Sequence, residues 1–164
     1  MLSNGSDVLA WLLGGLAILF LSSQTLMKKN PTRTITRIIR RTKYKDYLPY
    51  ILAQSKLETG NFTSRLALEE KNLFGMGVPS KRKSLKIDTY LAPNGENFSV
   101  YKNWDDSVKD YLLYLEEFNF PTNLNTCRQF AQKLKDQGYA TDPDYVNKIA
   151  VSYTHLTLPT SVPV

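Results

Sequence analysis

Residues 48–60 read LPYILAQSKLETG, and no other stretch constrains the fold as tightly. Leu48, Ile51, Leu52, Ser55 and Leu57 recur at helical spacing, so the segment predicts a helix buried against a core. It ends in a lone carboxylate, Glu58, two residues before Gly60, where the chain can turn sharply. A fold that buries this helix leaves the acid at its end facing a cleft. Two further short segments follow in order, NLFGMG at Asn72–Gly77 and GYATDPDY at Gly138–Tyr145.

Around that helix the signals are mostly helical. Asp46 is a plausible cap with Pro49 acceptable in the first turn, and Ser64–Lys71 reads as a short helix. Val78–Tyr101 predicts an extended hairpin lobe, with Pro93-Asn94-Gly95 as its turn. Asp105–Phe118 places Val108, Tyr111, Leu112 and Leu115 on one helical face. Thr126–Gln137 is a helix stopped by Gly138, and Asp142-Pro143 opens a last one through Tyr145 and Ile149. The expected fold class is α+β, mainly α: a helical body over residues 46–150 with one small β-hairpin lobe, preceded by an N-terminal transmembrane helix.

That transmembrane helix is expected from Val8–Met27, 20 residues without a charge and dominated by VLAWLLGGLAILFL, enough to cross roughly 30 Å of hydrocarbon. Residues 1–27 are therefore read as a membrane anchor, the alternative being a cleaved signal peptide. Residues 28–45 form a basic juxtamembrane stem with eight basic residues and no acid; from residue 46 onward 13 bases face 14 acids, so the overall charge of +6 describes the stem. That imbalance argues for no nucleic-acid partner. Within the stem, Ile35, Ile38 and Ile39 stand at helical spacing between arginines, which suits either a helix on an anionic membrane surface or a solvated stem packed on the domain. The basic flank following the apolar run would by the positive-inside rule stay cytoplasmic, so membrane orientation is open.

Residues 151–164 depart from this pattern. SYTHLTLPTSVPV has no helical periodicity and resembles translated sequencing-adapter strings, so it is expected to be a non-family tail. The only histidine, His155, lies in it and receives no catalytic role. The single cysteine, Cys127, excludes an intrachain disulfide and a cysteine-based zinc site. No Gly-rich phosphate loop is present, and no metal or cofactor is expected.

The order and spacing of AQSKLETG, NLFGMG and GYATDPDY resemble the glucosaminidase family of peptidoglycan hydrolases. The resemblance covers roughly residues 46–150 and implies a lysozyme-like fold, peptidoglycan glycan strands as partner and substrate, and a place at the cell envelope. It implies an endo-β-N-acetylglucosaminidase that cuts the β-1,4 glycan on the reducing side of N-acetylglucosamine; a muramidase, a lytic transglycosylase and a catalytically silent glycan-binding module are the alternatives. Glycosidic cleavage needs a protonated acid near neutral pH, which a carboxyl in a partly apolar pocket supplies. The resemblance assigns that role to Glu58.

It also implies a second carboxylate in the β-lobe. Thr89 stands at that place, so Asp88 is taken as the second catalytic group, with Glu96 beyond the turn as the other candidate and the substrate's own N-acetyl group as a third route. Tyr139 corresponds to the family's tyrosine near the acid. Asn72 and Phe74 lie in the segment leading from acid to lobe, where substrate contact and a structural role are both open. Tyr101 and Trp104 are candidates to wall the groove, while Thr141 and Asp142 fit a helix cap.

Overall fold

In a computed structural model of the chain, residues 30–157 are described. The uncharged run expected to span a membrane lies outside them, and among the described residues no helix is long and apolar enough to cross one.

The packed body begins at Pro31, upstream of the expected start at Asp46. Helix α1, Pro31–Ile39, turns Thr34, Ile35 and Ile39 into the core, and Tyr44 is buried just after it. Arg33, Arg37, Arg40 and Arg41 remain outside, and Arg37 pairs with Asp105 at 2.6 Å. Residues 31–45 are thus no free stem. Their apolar positions at i and i+4 belong to the domain, and the arginines and lysines around them face water.

A 3₁₀ turn at Lys45–Tyr47 leads into α2, Leu48–Glu58. Asp46 lies in that turn, and the residue preceding α2, Tyr47, makes no side-chain capping bond; Pro49 occupies the first helical turn as expected. Ile51, Ala53, Gln54 and Ser55 are fully buried, since α1 and the last helix both pack on α2. A short α3, Arg65–Leu68, is capped by the Ser64 side chain. The lobe then pairs β1, Asp88–Leu91, antiparallel with β2, Asn97–Val100, in the register Asp88↔Val100 to Leu91↔Asn97. The turn closes where expected, with Gly95 N–H donating to Ala92 O at 2.9 Å.

Helix α4, Trp104–Glu117, starts at an Asn103 cap, and α5, Cys127–Asp136, starts at a Thr126–Gln129 capping box. Helix α6, Tyr145–Thr157, runs past the point where a non-helical tail was expected. Ser152 Oγ donates to Ala53 O at 2.8 Å, and the Tyr153 ring meets Tyr50 edge-on at 5.2 Å. These contacts with α2 carry residues 151–157 into the helix, where threonines and serines alone give little helical signal. Residues 158–164 of that tail lie outside the described residues.

One buried ion pair fastens the lobe to the helices. Asp110 on α4 has no exposed surface; it accepts from Arg82 Nη2 at 2.7 Å and Nη1 at 3.2 Å, from Leu85 N–H at 2.7 Å and from Tyr101 Oη at 2.7 Å. Burial alone would raise its pKa, but the Arg82 guanidinium and the Tyr101 and Leu85 donors overcome it and hold the carboxyl below its ordinary value. Because the folded-state pKa is depressed, this stabilisation is present above the unfolded pKa and is lost as pH falls through the folded one. Asp110→Ala, which strands Arg82, is expected to cost about 3–5 kcal/mol in urea unfolding at pH 7. The difference from wild type should shrink below about pH 4, where the unfolded-state carboxyl becomes protonated.

Candidate active site

Glu58 is the last residue of α2. The helix ends there because Thr59 Oγ1 bonds back to Ser55 O at 2.6 Å and Gly60 takes φ +53. The acid is thereby placed at the wall of a cleft of about 610 Å³ lined by Gly75, Glu96, Phe98, Tyr139, Tyr145 and Lys148 among others. Gly75, Gly77 and Tyr139 are shared with a second cleft of about 530 Å³, which continues along Val78–Arg82 and Tyr114–Phe118. The two together make a groove across the face that carries Glu58.

The NLFGMG loop forms the roof over the acid. Asn72 Nδ2 donates to Met76 O and Ser99 O, both at 2.9 Å, and its Oδ1 accepts from Met76 N–H at 3.0 Å. Ser55 Oγ holds Leu73 O at 2.6 Å, so the loop is tied directly to α2. Gly75 then passes over the carboxyl with φ +60, and a Cβ at this position would lie 3.1 Å from Glu58 Oε2. Only glycine suits both the left-handed backbone and that contact.

Burial pushes the Glu58 carboxyl up to about 7, against a smaller opposing effect from a hydrogen bond donated by Tyr145 Oη to Oε1 at 3.0 Å. The C-terminal end of α2 acts in the same direction as burial, because its free carbonyls disfavour an anion. A carboxyl with that pKa holds a proton near neutral pH and releases it readily, which is the property of a general acid.

The remaining candidates divide. Tyr139 does line the cleft, and its hydroxyl donates to Phe74 O, fixing the roof loop. Asp88 does not line it. Met76–Val78 runs along β2, with Ser99 N–H donating to Met76 O at 2.9 Å and Gly77 bridging to Phe98, so β2 separates β1 and its exposed Asp88 from the acid. Glu96 stands on the cleft side of the hairpin instead. Asn72 is fully buried and shapes the loop. Phe74 is also buried, stacked on Tyr111 at 4.1 Å between ring centroids, and contributes core packing. Tyr101 is spent on Asp110, and Trp104 Nε1 donates to Ala67 O at 2.8 Å, outside the cleft lining. These four support the site without forming its surface.

Tyr145, Gln54 and Lys148 are the cleft and support residues the motifs did not single out. Tyr145 sits in GYATDPDY, and Gln54 precedes Glu58 by four residues, the spacing that shares a helix face. That spacing was the available signal. Among the described residues no group of three His, Cys, Asp or Glu side chains could hold a metal ion.

Comparison with known proteins identifies the family. Residues 37–158 match the family model described as mannosyl-glycoprotein endo-beta-N-acetylglucosaminidase. The peptidoglycan hydrolase FlgJ of Escherichia coli (strain K12) is 33% identical over 114 residues, 60% of this chain and 36% of that protein. The exo-glucosaminidase LytG of Bacillus subtilis (strain 168) is 29% identical over 118 residues, 63% of this chain and 42% of that protein. The chain therefore spans well under half of these curated relatives. A C-terminally truncated glycoside hydrolase domain from Salmonella typhimurium FlgJ superposes with a TM-score of 0.50 at 26% identity, covering 77% of this chain and 90% of that one. The family match takes in α2, the roof loop and the Gly138–Tyr145 segment. With the acid, its cover and its hydrogen-bond donor all inside the matched region, the chain belongs to the glucosaminidase family.

Proposed function

We propose that this chain is a peptidoglycan hydrolase that cleaves the β-1,4 glycan on the reducing side of N-acetylglucosamine, with Glu58 as general acid. The observation that carries the reading is the Glu58 carboxyl, half-buried in a groove wall at the end of α2 beneath Gly75, where burial pushes its pKa up to about 7. The relatives named above as peptidoglycan hydrolase and exo-glucosaminidase support the substrate class. Protonating the glycosidic oxygen from Glu58 lets the leaving sugar depart as an alcohol while positive charge develops on the ring. Glu96, which lines the same cleft, is the carboxylate we assign to stabilise that charge or activate water, in place of Asp88. The uncharged run at 8–27 supports a membrane-anchored enzyme acting at the cell envelope.

Purified peptidoglycan should release soluble muropeptides with the wild-type chain, and Glu58→Gln should lower the rate by about 10²–10⁴-fold. Mass analysis names the bond and the mode: a reducing-end N-acetylglucosamine supports the reading, whereas reducing-end or anhydro-N-acetylmuramic acid replaces it with a muramidase or a lytic transglycosylase. Binding without release by either protein would make the domain a silent glycan-binding module. Because the acid must hold its proton, kcat/KM should fall as pH rises through about 7.

Glu96→Gln is expected to slow release by at least about tenfold, while Asp88→Asn leaves it unchanged. A Glu96→Gln enzyme at full rate would point to the substrate's N-acetyl group as the nucleophile.

Stability offers a readout independent of turnover. The folded-state pKa of Glu58 is raised from 4.5 to about 7, so its contribution is fully favourable below the unfolded value and is lost as pH rises through the folded one. Glu58→Gln should therefore stabilise the protein by about 1–3 kcal/mol above pH 8 and by almost nothing at pH 4, measured by thermal melts.

A further inference from the structure

A single file of buried polar groups runs from the core to the acid. Tyr111 Oη on α4 donates to Gln54 Oε1 at 2.6 Å, Gln54 Nε2 donates to Tyr145 Oη at 3.3 Å, and Tyr145 Oη donates to Glu58 Oε1 at 3.0 Å. Gln54 and Tyr111 have no exposed surface and Tyr145 retains 4%. A glutamine in the middle of a buried helix face is costly unless both ends of its amide are bonded, and both are.

The chemistry of the four groups gives the file one direction. An ionised Glu58 has acceptors only, so the single Tyr145 proton goes to Oε1. The Tyr145 oxygen is then left to accept, which calls for the Gln54 amide nitrogen. That turns Gln54 Oε1 toward Tyr111, whose hydroxyl donates. When Glu58 takes up a proton the same orientation persists, because Tyr145 still receives from Gln54 and still donates to Oε1. The proton on the carboxyl is then confined to Oε2, the oxygen beside Gly75 on the cleft wall.

We propose that Tyr111, Gln54 and Tyr145 form a positioning relay that keeps the transferable proton of Glu58 on Oε2, with Gln54 setting its direction. The inference rests on the reading of Glu58 as general acid. Gln54 and Tyr111 touch no substrate and act through Tyr145. Without the Gln54 amide, the Tyr145 hydroxyl can rotate and accept from a protonated Oε1, which turns the proton away from the cleft. Loosening the Tyr145 bond also removes a contact that favours the ionised acid, so the carboxyl titrates higher.

The test is a pair of measurements on the full chain and on its Gln54→Met and Tyr111→Phe variants: the Glu58 side-chain titration by carbon-detected NMR, and kcat and KM for muropeptide release across pH. Other ionisable groups facing Glu58 are Tyr139 beside the cleft, Tyr111 on α4, Glu96 from the hairpin, and the Asp142–Lys148 pair at 2.5 Å; all but Tyr111 are unaltered in both variants. For Gln54→Met the expected result is a Glu58 pKa about 0.5–1 unit higher, kcat lower by about 10-fold or more and KM within about twofold. Tyr111→Phe, which keeps the ring stacked on Phe74, should move both readouts the same way by less, and it decides the question should Gln54→Met fail to fold. A fall in kcat with the titration unmoved, a titration shift with kcat unmoved, or no change in either would overturn the relay. If the wild type turns over no peptidoglycan, the hydrolase reading falls and the relay stands or falls on the titration alone.

Discussion

Asn72 holds the site together. Its one amide side chain bonds to Met76, Phe74 and Ser99 and folds NLFGMG into a fixed loop, which Ser55 and Ser107 then tie to α2 and α4. A loop with this many backbone groups turned inward is stable only if each is satisfied, and a short amide with two donors and one acceptor oxygen does so at a single position. The loop in turn puts Gly75 over Glu58 and supplies the neighbour against which β2 lies. Remove this knot and the acid is an exposed carboxylate at a helix end.

The cost of the arrangement falls on Glu58. A carboxyl under a loop, at the negative end of a helix, is disfavoured as an anion by both burial and the helix carbonyls. Tyr145 offsets part of that penalty through one hydrogen bond and leaves the acid poised near neutrality. Asp110 shows the opposite outcome of burial in the same protein: with Arg82 and two further donors around it, the carboxyl stays ionised and acts as a rivet between lobe and helices. The two sites differ in how many donors surround the carboxyl. One donor leaves an acid that can titrate, and four hydrogen bonds leave an anchor.

The body also recruits segments that composition alone did not place in it. The run at 33–41 reads equally as a helix on a membrane surface or as a stem whose isoleucines pack on the domain, and the burial of Ile35 and Ile39 with the Arg37–Asp105 pair selects the second. At the other end, Ser152 and Tyr153 attach to α2, extending α6 through residues that lack helical periodicity of their own. In both cases a long-range partner decides, since charge and threonine content describe only what faces outward.

Much of this protein was legible from its residues alone. Local signals of fixed spacing determined the buried α2 helix with Glu58 at its end, the Pro93-Asn94-Gly95 turn, the helical stretches that became α4 and α5, and the family. Such signals act between residues near in the chain, so one sequence carries them. What only the tertiary structure decided was which side chains meet across it. β2 lies between Asp88 and the acid, which moves the second-carboxylate candidate to Glu96. Phe74 and Tyr101 go to the core, and Tyr145 with Gln54 comes to the carboxyl. The four-residue step from Gln54 to Glu58 marks only that the two share a face of α2. Strand register, helix packing and which neighbour covers that face are long-range geometry that the spacing of residues along one chain does not carry.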